Sequence, residues 1–295
     1  MDIDLGAVAE FMATHARVLD RRRFQFLVGE GDAAASVAAL EAYRNADGGY
    51  GWGLEPDLRS PESQPGAALH AFEVFEDIAP ATAPQAAALC DWLDSVTLPD
   101  GGVPFALPVT NRAGCAPFWA DADSGVSSLQ ITAVVLGQAQ RVARHDPAVA
   151  AHPWLERAAR YCLEAAAGLG EDAHALVIAY TIRLLGEIHD RYPEAAGLLD
   201  RLARLIPESG MLHVAGGKED EYMRPLDFAP HPGGPVRDLL DPAAVAADLD
   251  RLSSGLLADG GWDVDWHSYS PAALLDWRGH ITVRNLRVLR ANGVV

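Results

Sequence analysis

The sequence predicts an all-α protein wound into a single α/α toroid, and three observations predict it. Asp47-Gly48-Gly49-Tyr50, Asp100-Gly101-Gly102-Val103 and Asp259-Gly260-Gly261-Trp262 repeat one motif at spacings of 53 and 159 residues, the second three times the first. Each motif follows a run of helical periodicity and Ala-rich propensity. Between those runs lie helices that are apolar nearly all round. Repeats of this length mean stacked helical units rather than separate domains, so residues 1–295 form one domain of about five to six helix pairs. Pro207-Glu208-Ser209-Gly210-Met211 stands where a worn copy of the motif is expected.

Taken in order, residues 4–27 read as one helix ending in Arg21, Arg22 and Arg23, a run that complements the negative end of the helix dipole. The runs 32–45, 84–98, 153–168, 194–206 and 242–257 are the outer set. In 242–257, Val245, Leu249, Leu252 and Leu256 make one stripe while Asp248, Asp250 and Arg251 lie off it. A glycine after the last helical residue suits a left-handed cap. The inner set is 64–78, 123–141, 172–189 and 271–291. Val126, Leu129, Ile131, Val134 and Val135 in one, and Leu176, Val177, Ile178, Ile182 and Leu184 in the next, leave no polar face, so these helices are buried on all sides. Arg284, Arg287 and Arg290 give the last inner helix a polar side. The period places a further inner helix near residue 225. Pro225, Pro230, Pro232 and Pro235 with Gly216, Gly217, Gly233 and Gly234 forbid it, so 207–241 is expected to be irregular and to cover one mouth of the barrel.

Composition narrows the function. With 41 acidic against 23 basic residues the net charge is −18, and Lys218 is the only lysine. Nucleic-acid or anionic-membrane binding needs a basic field that this chain lacks overall. Cys90, Cys115 and Cys162 contain no CxxC pair, so buried thiols are expected rather than disulfides or a thiolate zinc site. The first ten residues carry Asp2, Asp4 and Glu10 and no apolar run, which reads as cytoplasmic with no membrane span. No HExxH, DxDxDG, GxGxxG, Walker or GxSxG pattern occurs, and neither a cofactor nor a metal is expected.

Helices punctuated by Asp-Gly-Gly and an aromatic residue resemble the prenyltransferase and squalene-oxidase repeat superfamily, which contains class II terpene cyclases and protein prenyltransferase β-subunits. Within it, the stretch from Tyr43 to Asp57, followed by Pro61-Glu62-Ser63-Gln64-Pro65, looks like a family of uncharacterised bacterial proteins with a loose prenyltransferase-like label. The cyclase resemblance implies an acidic DxDD motif at the head of an inner helix, and Asp121-Ala122-Asp123-Ser124 matches it in part, with Ser124 in place of the last Asp. The prenyltransferase resemblance implies a zinc-binding Cys where this chain has Gly125, so that soft metal site fails.

In a toroid the residues ahead of the inner helices gather at one rim: Glu55, Asp57, Arg59 and Glu62; Asp121 and Asp123; Glu171, Asp172 and His174; Asp276, Arg278 and His280. Two neighbouring carboxyls at a semi-apolar rim can split their pKa values and leave one protonated near neutrality. Asp123, Asp121, Glu55 and Asp57 are therefore the catalytic candidates. Trp52, Trp119, Arg59, His174, Trp277 and Arg278 are the substrate-binding candidates, aromatic faces beside acids suiting a carbocation or a sugar ring. The expected function is a terpenoid-cyclase-like general acid acting on a small isoprenoid. The alternatives are a carbohydrate hydrolase or lyase and a non-catalytic scaffold, in which the acids serve only as helix caps.

Overall fold

Proline opens six of the longer helices, where its fixed φ and missing N–H suit the first turn, and Asp or Ser side chains cap several of the others. The computed structural model describes residues 3–295, of which 55% of the chain is helix. Among the described residues are fifteen α-helices. They are α1 (Leu5–Thr14), α2 (Val18–Leu27), α3 (Ala33–Leu40), α4 (Pro65–Asp77), α5 (Pro84–Val96), α6 (Pro117–Ala120), α7 (Leu129–Ala143) and α8 (Pro147–Ala150). The second half holds α9 (Pro153–Ala167), α10 (Ala175–Ile188), α11 (Pro193–Ala203), α12 (Pro225–Phe228), α13 (Pro235–Asp238), α14 (Pro242–Ser254) and α15 (Pro271–Ala291). Leu212–His213 (β1) and Tyr222–Met223 (β2) pair antiparallel, and no helix is long and apolar enough to cross a membrane among these residues.

The expected helices are present with three differences. Residues 4–27 break into α1 and α2 because Arg17 leaves helical geometry, pairs with buried Asp20 at 2.7 Å and donates to the Leu54 carbonyl at 3.0 Å. The helix expected over 123–141 starts only at Leu129. Asp123 Oδ1 accepts from Gly125 N within a turn, and Ser128 N donates to Val103 O, so the chain stays extended until the Ser128 cap. The segment 207–241 is largely irregular, but it also holds the β1–β2 ladder and the single turns α12 and α13. The three cysteines are free.

The Asp-Gly-Gly segments fold alike. In each, the Asp Oδ1 accepts from the N–H of the second glycine: Asp47 from Gly49 at 3.0 Å, Asp100 from Gly102 at 3.1 Å and Asp259 from Gly261 at 3.1 Å. The first glycine sits at φ +93, +95 and +86, a region that costs a side chain about 1–2 kcal/mol. Each second glycine lies under an aromatic ring of a neighbouring helix: Trp92 of α5, Tyr161 of α9 and Phe11 of α1. The helix that receives the last turn is thus the first one of the chain.

Helix α4 packs on α7 and α7 on α10, while α2 touches α3, α4 and α15. From α10 the contacts run through α12 and α14 back to α15. The core is one cluster that includes fully buried Trp154, Tyr50, Phe72 and Phe75. One expectation needs correcting: α7 and α10 are not apolar all round. Gln138 and Arg141 of α7 are buried, and Arg141 bonds Glu187 of α10 at 3.1 Å and lies 3.4 Å from Glu76 of α4. Charged pairs, rather than apolar contacts alone, join these helices on that side.

Candidate functional site

A loop of 20 residues separates Arg44 from α4, and a network of short bonds holds it in place. Tyr50 O accepts from Gln64 N at 2.8 Å, and the Gln64 side chain pairs with both backbone groups of Leu107. This loop buries two acids, Glu55 at 5% exposure and Asp57 at 3%. Such burial is rare for carboxyls and demands partners. Asp57 Oδ2 accepts from Trp277 Nε1 at 2.7 Å and Oδ1 from Tyr269 N at 3.1 Å, which ties the loop to α15 and to the segment before it. Glu55 Oε1 accepts from Asp57 N at 3.1 Å, while Oε2 lies 2.9 Å from His70 Nε2.

His70 connects this pair to a deeper cluster. Its Nδ1 is 3.0 Å from Glu73 Oε2, one turn along α4, and its ring stands edge-on to His280 and Trp277 of α15. Glu73 Oε2 is 3.7 Å from His280 Nδ1, and Arg23 Nη1 of α2 is 3.2 Å from the same nitrogen. A guanidinium can only donate. Nδ1 of His280 therefore accepts, and the proton of a neutral ring sits on Nε2, which has no protein partner among the described residues. His280 is absent from the buried unpartnered atoms, so that N–H opens onto accessible space.

The electrostatics follow this geometry. Burial opposes the His70 charge, but Glu73 and Glu55 outweigh it and lift the pKa to about 9. Burial pushes His280 well below the ordinary histidine value, with His70 and Arg23 adding to the shift against the pull of Glu73. Glu73 falls well below the usual carboxylate range, because His280, His70 and Arg23 overcome its burial. Asp57 moves the other way: burial raises it, the bonds from Tyr269 and Trp277 offset part of this, and the Glu55 charge adds to the rise.

Aromatic rings surround the pair. Trp277 meets Trp266 at 5.1 Å, and Tyr269 meets Phe118 at 5.5 Å, whose neighbour Trp119 packs on Phe105 at 4.5 Å. Of the expected substrate-binding residues, Trp277 and Trp119 belong here. Arg59 pairs with Asp276 at 2.5 Å beside them. Arg278 instead braces the third Asp-Gly-Gly turn, donating to Asp259 at 2.8 Å and to Trp262 O at 3.2 Å. His174 caps α10, its Nδ1 accepting from Leu176 N and its Nε2 meeting Ala215 O at 2.9 Å. Trp52 is 58% exposed at φ +56, a strained setting for a bulky residue, and donates to Asn45.

Asp121 and Asp123 lie apart from the buried acids in kind. Both are exposed; Asp121 pairs with Arg112, and Asp123 bonds the Gly125 N–H of its own turn. No hydrogen bond or ion pair joins either to Glu55 or Asp57 among the described residues. Sequence reasoning names His280 only as a rim residue and Arg23 only as part of a helix-end run, whereas the structure buries Arg23 against Asp77 and His280; His70 and Glu73 it misses. The His70-x-x-Glu73 spacing puts both groups on one helix face and was the available signal.

His70, Glu73 and His280 offer donor atoms within 4.8 Å of one another, a set that suits a divalent metal by type. Arg23 already lies against His280 Nδ1, and His70 already bridges two carboxylates. The arrangement is that of groups sharing protons. No protein-family model and no curated protein sequence matches the chain.

Proposed function

We propose that the helices close into an α/α ring and that Glu55, Asp57, His70 and His280 form the active site of an acid–base enzyme acting on a polar, ring-bearing substrate such as a sugar, as a hydrolase or lyase. Ring closure is supported by α1, which receives the third Asp-Gly-Gly turn through Ala7 and Phe11 as α5 and α9 receive the first two. In such a ring α2, α4, α7, α10 and α15 stand inside.

The observation that carries the functional reading is Asp57. It is a buried carboxyl driven toward its neutral form, two residues from a second acid that pairs with a charged imidazole. Environments that push two carboxyls apart separate an acid from a base. Asp57 is the proton donor in this reading, Glu55, positioned by the His70 cation, the base, and the His280 N–H a second donor toward the substrate. Trp277, Trp266 and Tyr269 supply faces on which a sugar stacks. An isoprenoid cyclase needs an apolar cavity and an acid that faces it. The inward groups on α4, α7 and α15 are charged, and Asp123 is exposed, so the polar-substrate reading is the better supported one.

The test is product formation from a panel of neutral and acidic oligosaccharides, followed by mass spectrometry. Asp57→Asn should lower the rate at least ~100-fold, the usual contribution of a general acid, while Asp123→Asn leaves it unchanged. Turnover of isoprenoid diphosphates that Asp123→Asn abolishes would reinstate the cyclase. Full activity in Asp57→Asn would remove Asp57 from the chemistry.

A further inference from the structure

The inward-facing guanidinium groups are paired with one exception. Arg23 bonds Asp77 at 2.6 Å, Arg141 reaches Glu187 and Glu76, Arg284 pairs with Asp227, and Arg287 pairs with Asp77 and lies 3.3 Å from Glu76. Arg183, half-buried on α10, has no carboxylate within 4.0 Å and no hydrogen bond among the described residues. The one acid a turn further along its helix, Glu187, is taken by Arg141 and Arg144. Charges of its own sign stand near it: Arg141 of α7 and Arg284 of α15 both oppose its charge, against the pull of Glu73 of α4.

Tyr180, one turn back on the same helix, is also half-buried and also makes no hydrogen bond through its hydroxyl. The buried unpartnered polar atoms of the molecule include neither that hydroxyl nor any Arg183 nitrogen. Both groups therefore open onto accessible space rather than into packed protein. Arginine does not escape such a position by losing its proton. Burial, with Arg141 and Arg284 behind it, brings Arg183 down to about 10, which leaves it charged at neutral pH. A chain with net charge −18 thus keeps, on α10, a half-buried cation that no described residue bonds.

We propose that Arg183 and Tyr180 form a binding site for an oxyanion, the phosphate or carboxylate group of a small molecule, set against the Arg141 and Arg284 side chains. The planar guanidinium fork matches two oxygens of such a group at once, and the Tyr180 hydroxyl donates to a third. The two flanking arginines, already neutralised by their own carboxylates, add field without being consumed. This site stands independently of the acid–base reading, since it uses none of Glu55, Asp57, His70 or His280.

The experiment is calorimetric titration of the full chain with inorganic phosphate and, separately, with malonate, at constant ionic strength set by chloride. Saturable binding is expected for at least one of them. Preference for phosphate identifies a phosphoryl-bearing ligand, and preference for malonate a carboxylate. Arg183→Gln should weaken binding at least tenfold while the thermal midpoint without anion stays level or rises, because an unpaired charge has been removed. Tyr180→Phe should weaken it severalfold. Arg183→Lys keeps the charge but loses the fork, and it too should lose severalfold, which keeps the test open if the glutamine variant does not fold. Binding no tighter than that of chloride, or wild-type affinity in the Arg183 variants, overturns the proposal.

Discussion

Replacing His70 by Gln removes the one cation that stands between Glu55 and Glu73, and the consequence has a definite pH signature. The groups facing His70 are Glu55 from the loop, Glu73 on its own helix, and Trp277 and His280 from α15, with Arg23 of α2 behind His280. Since its folded-state pKa of about 9 lies above the ordinary 6.5, the stabilisation it provides is complete below pH 6.5 and is lost as pH rises through 9. At about 1.4 kcal/mol per pH unit, this amounts to about 3 kcal/mol. His280 has the opposite sign: held neutral, it contributes fully above pH 6.5, and that contribution is lost as pH falls. The contributions of these two histidines are both complete near pH 6.5. His70→Gln should cost about 3–5 kcal/mol there, the usual result of leaving buried charges without their partner. Urea unfolding of both proteins from pH 6 to 9.5 measures the difference. The gap should shrink by about 3 kcal/mol toward pH 9.5, because the wild type loses what the variant never had. A gap that stays constant across that range would refute a charged His70.

Two further outcomes follow from the geometry. A Cβ on Gly260 would lie 2.1 Å from the Ala7 carbonyl oxygen at φ +86, so Gly260→Ala combines backbone strain with a clash and should lower stability by about 2–4 kcal/mol; Gly233→Ala, at φ +79 with nothing within 4 Å, should cost only about 1–2 kcal/mol by the same denaturation assay. Equimolar zinc should leave the thermal midpoint unchanged because Arg23 already holds His280 Nδ1, and a zinc-induced rise that His280→Ala abolishes would show that these residues are metal ligands instead.

The helices were legible because their signals are local. Pro65, Pro153, Pro242 and Pro271 mark first turns, and an Ala-rich run between a proline and a glycine has few other ways to fold. Boundaries failed where a long-range bond decides them. Residues 123–128, Asp-Ser-Gly-Val-Ser-Ser, are weak helix formers ahead of an apolar run, and Ser128 N is claimed by Val103 O, while Arg17 is drawn out of a helix by Asp20 and by carbonyls 36 and 37 residues away. Periodicity cannot register a partner that distant.

The site was legible in half for the same reason. Glu55 and Asp57 stand out because two acids in a glycine- and proline-rich loop have no helix to cap, and the structure buries both. Asp123 stands out by position alone, and a short polar side chain beside a glycine has a local use, the 2.8 Å bond to Gly125 N, that position does not reveal. His70, Glu73 and Arg183 were hidden by averaging: each is one of a few polar residues in a mostly apolar run, and such a run reads as packed on every side. What makes them a cluster is the approach of α2 and α15, whose Arg23 and His280 are 257 residues apart in the chain. A lone polar residue on an otherwise apolar helix is costly unless something answers it. For His70 the answer is in the protein, in the form of two carboxylates; for Arg183 no carboxylate of the described chain provides it, and that difference separates a group that holds the fold together from one left free to hold a ligand.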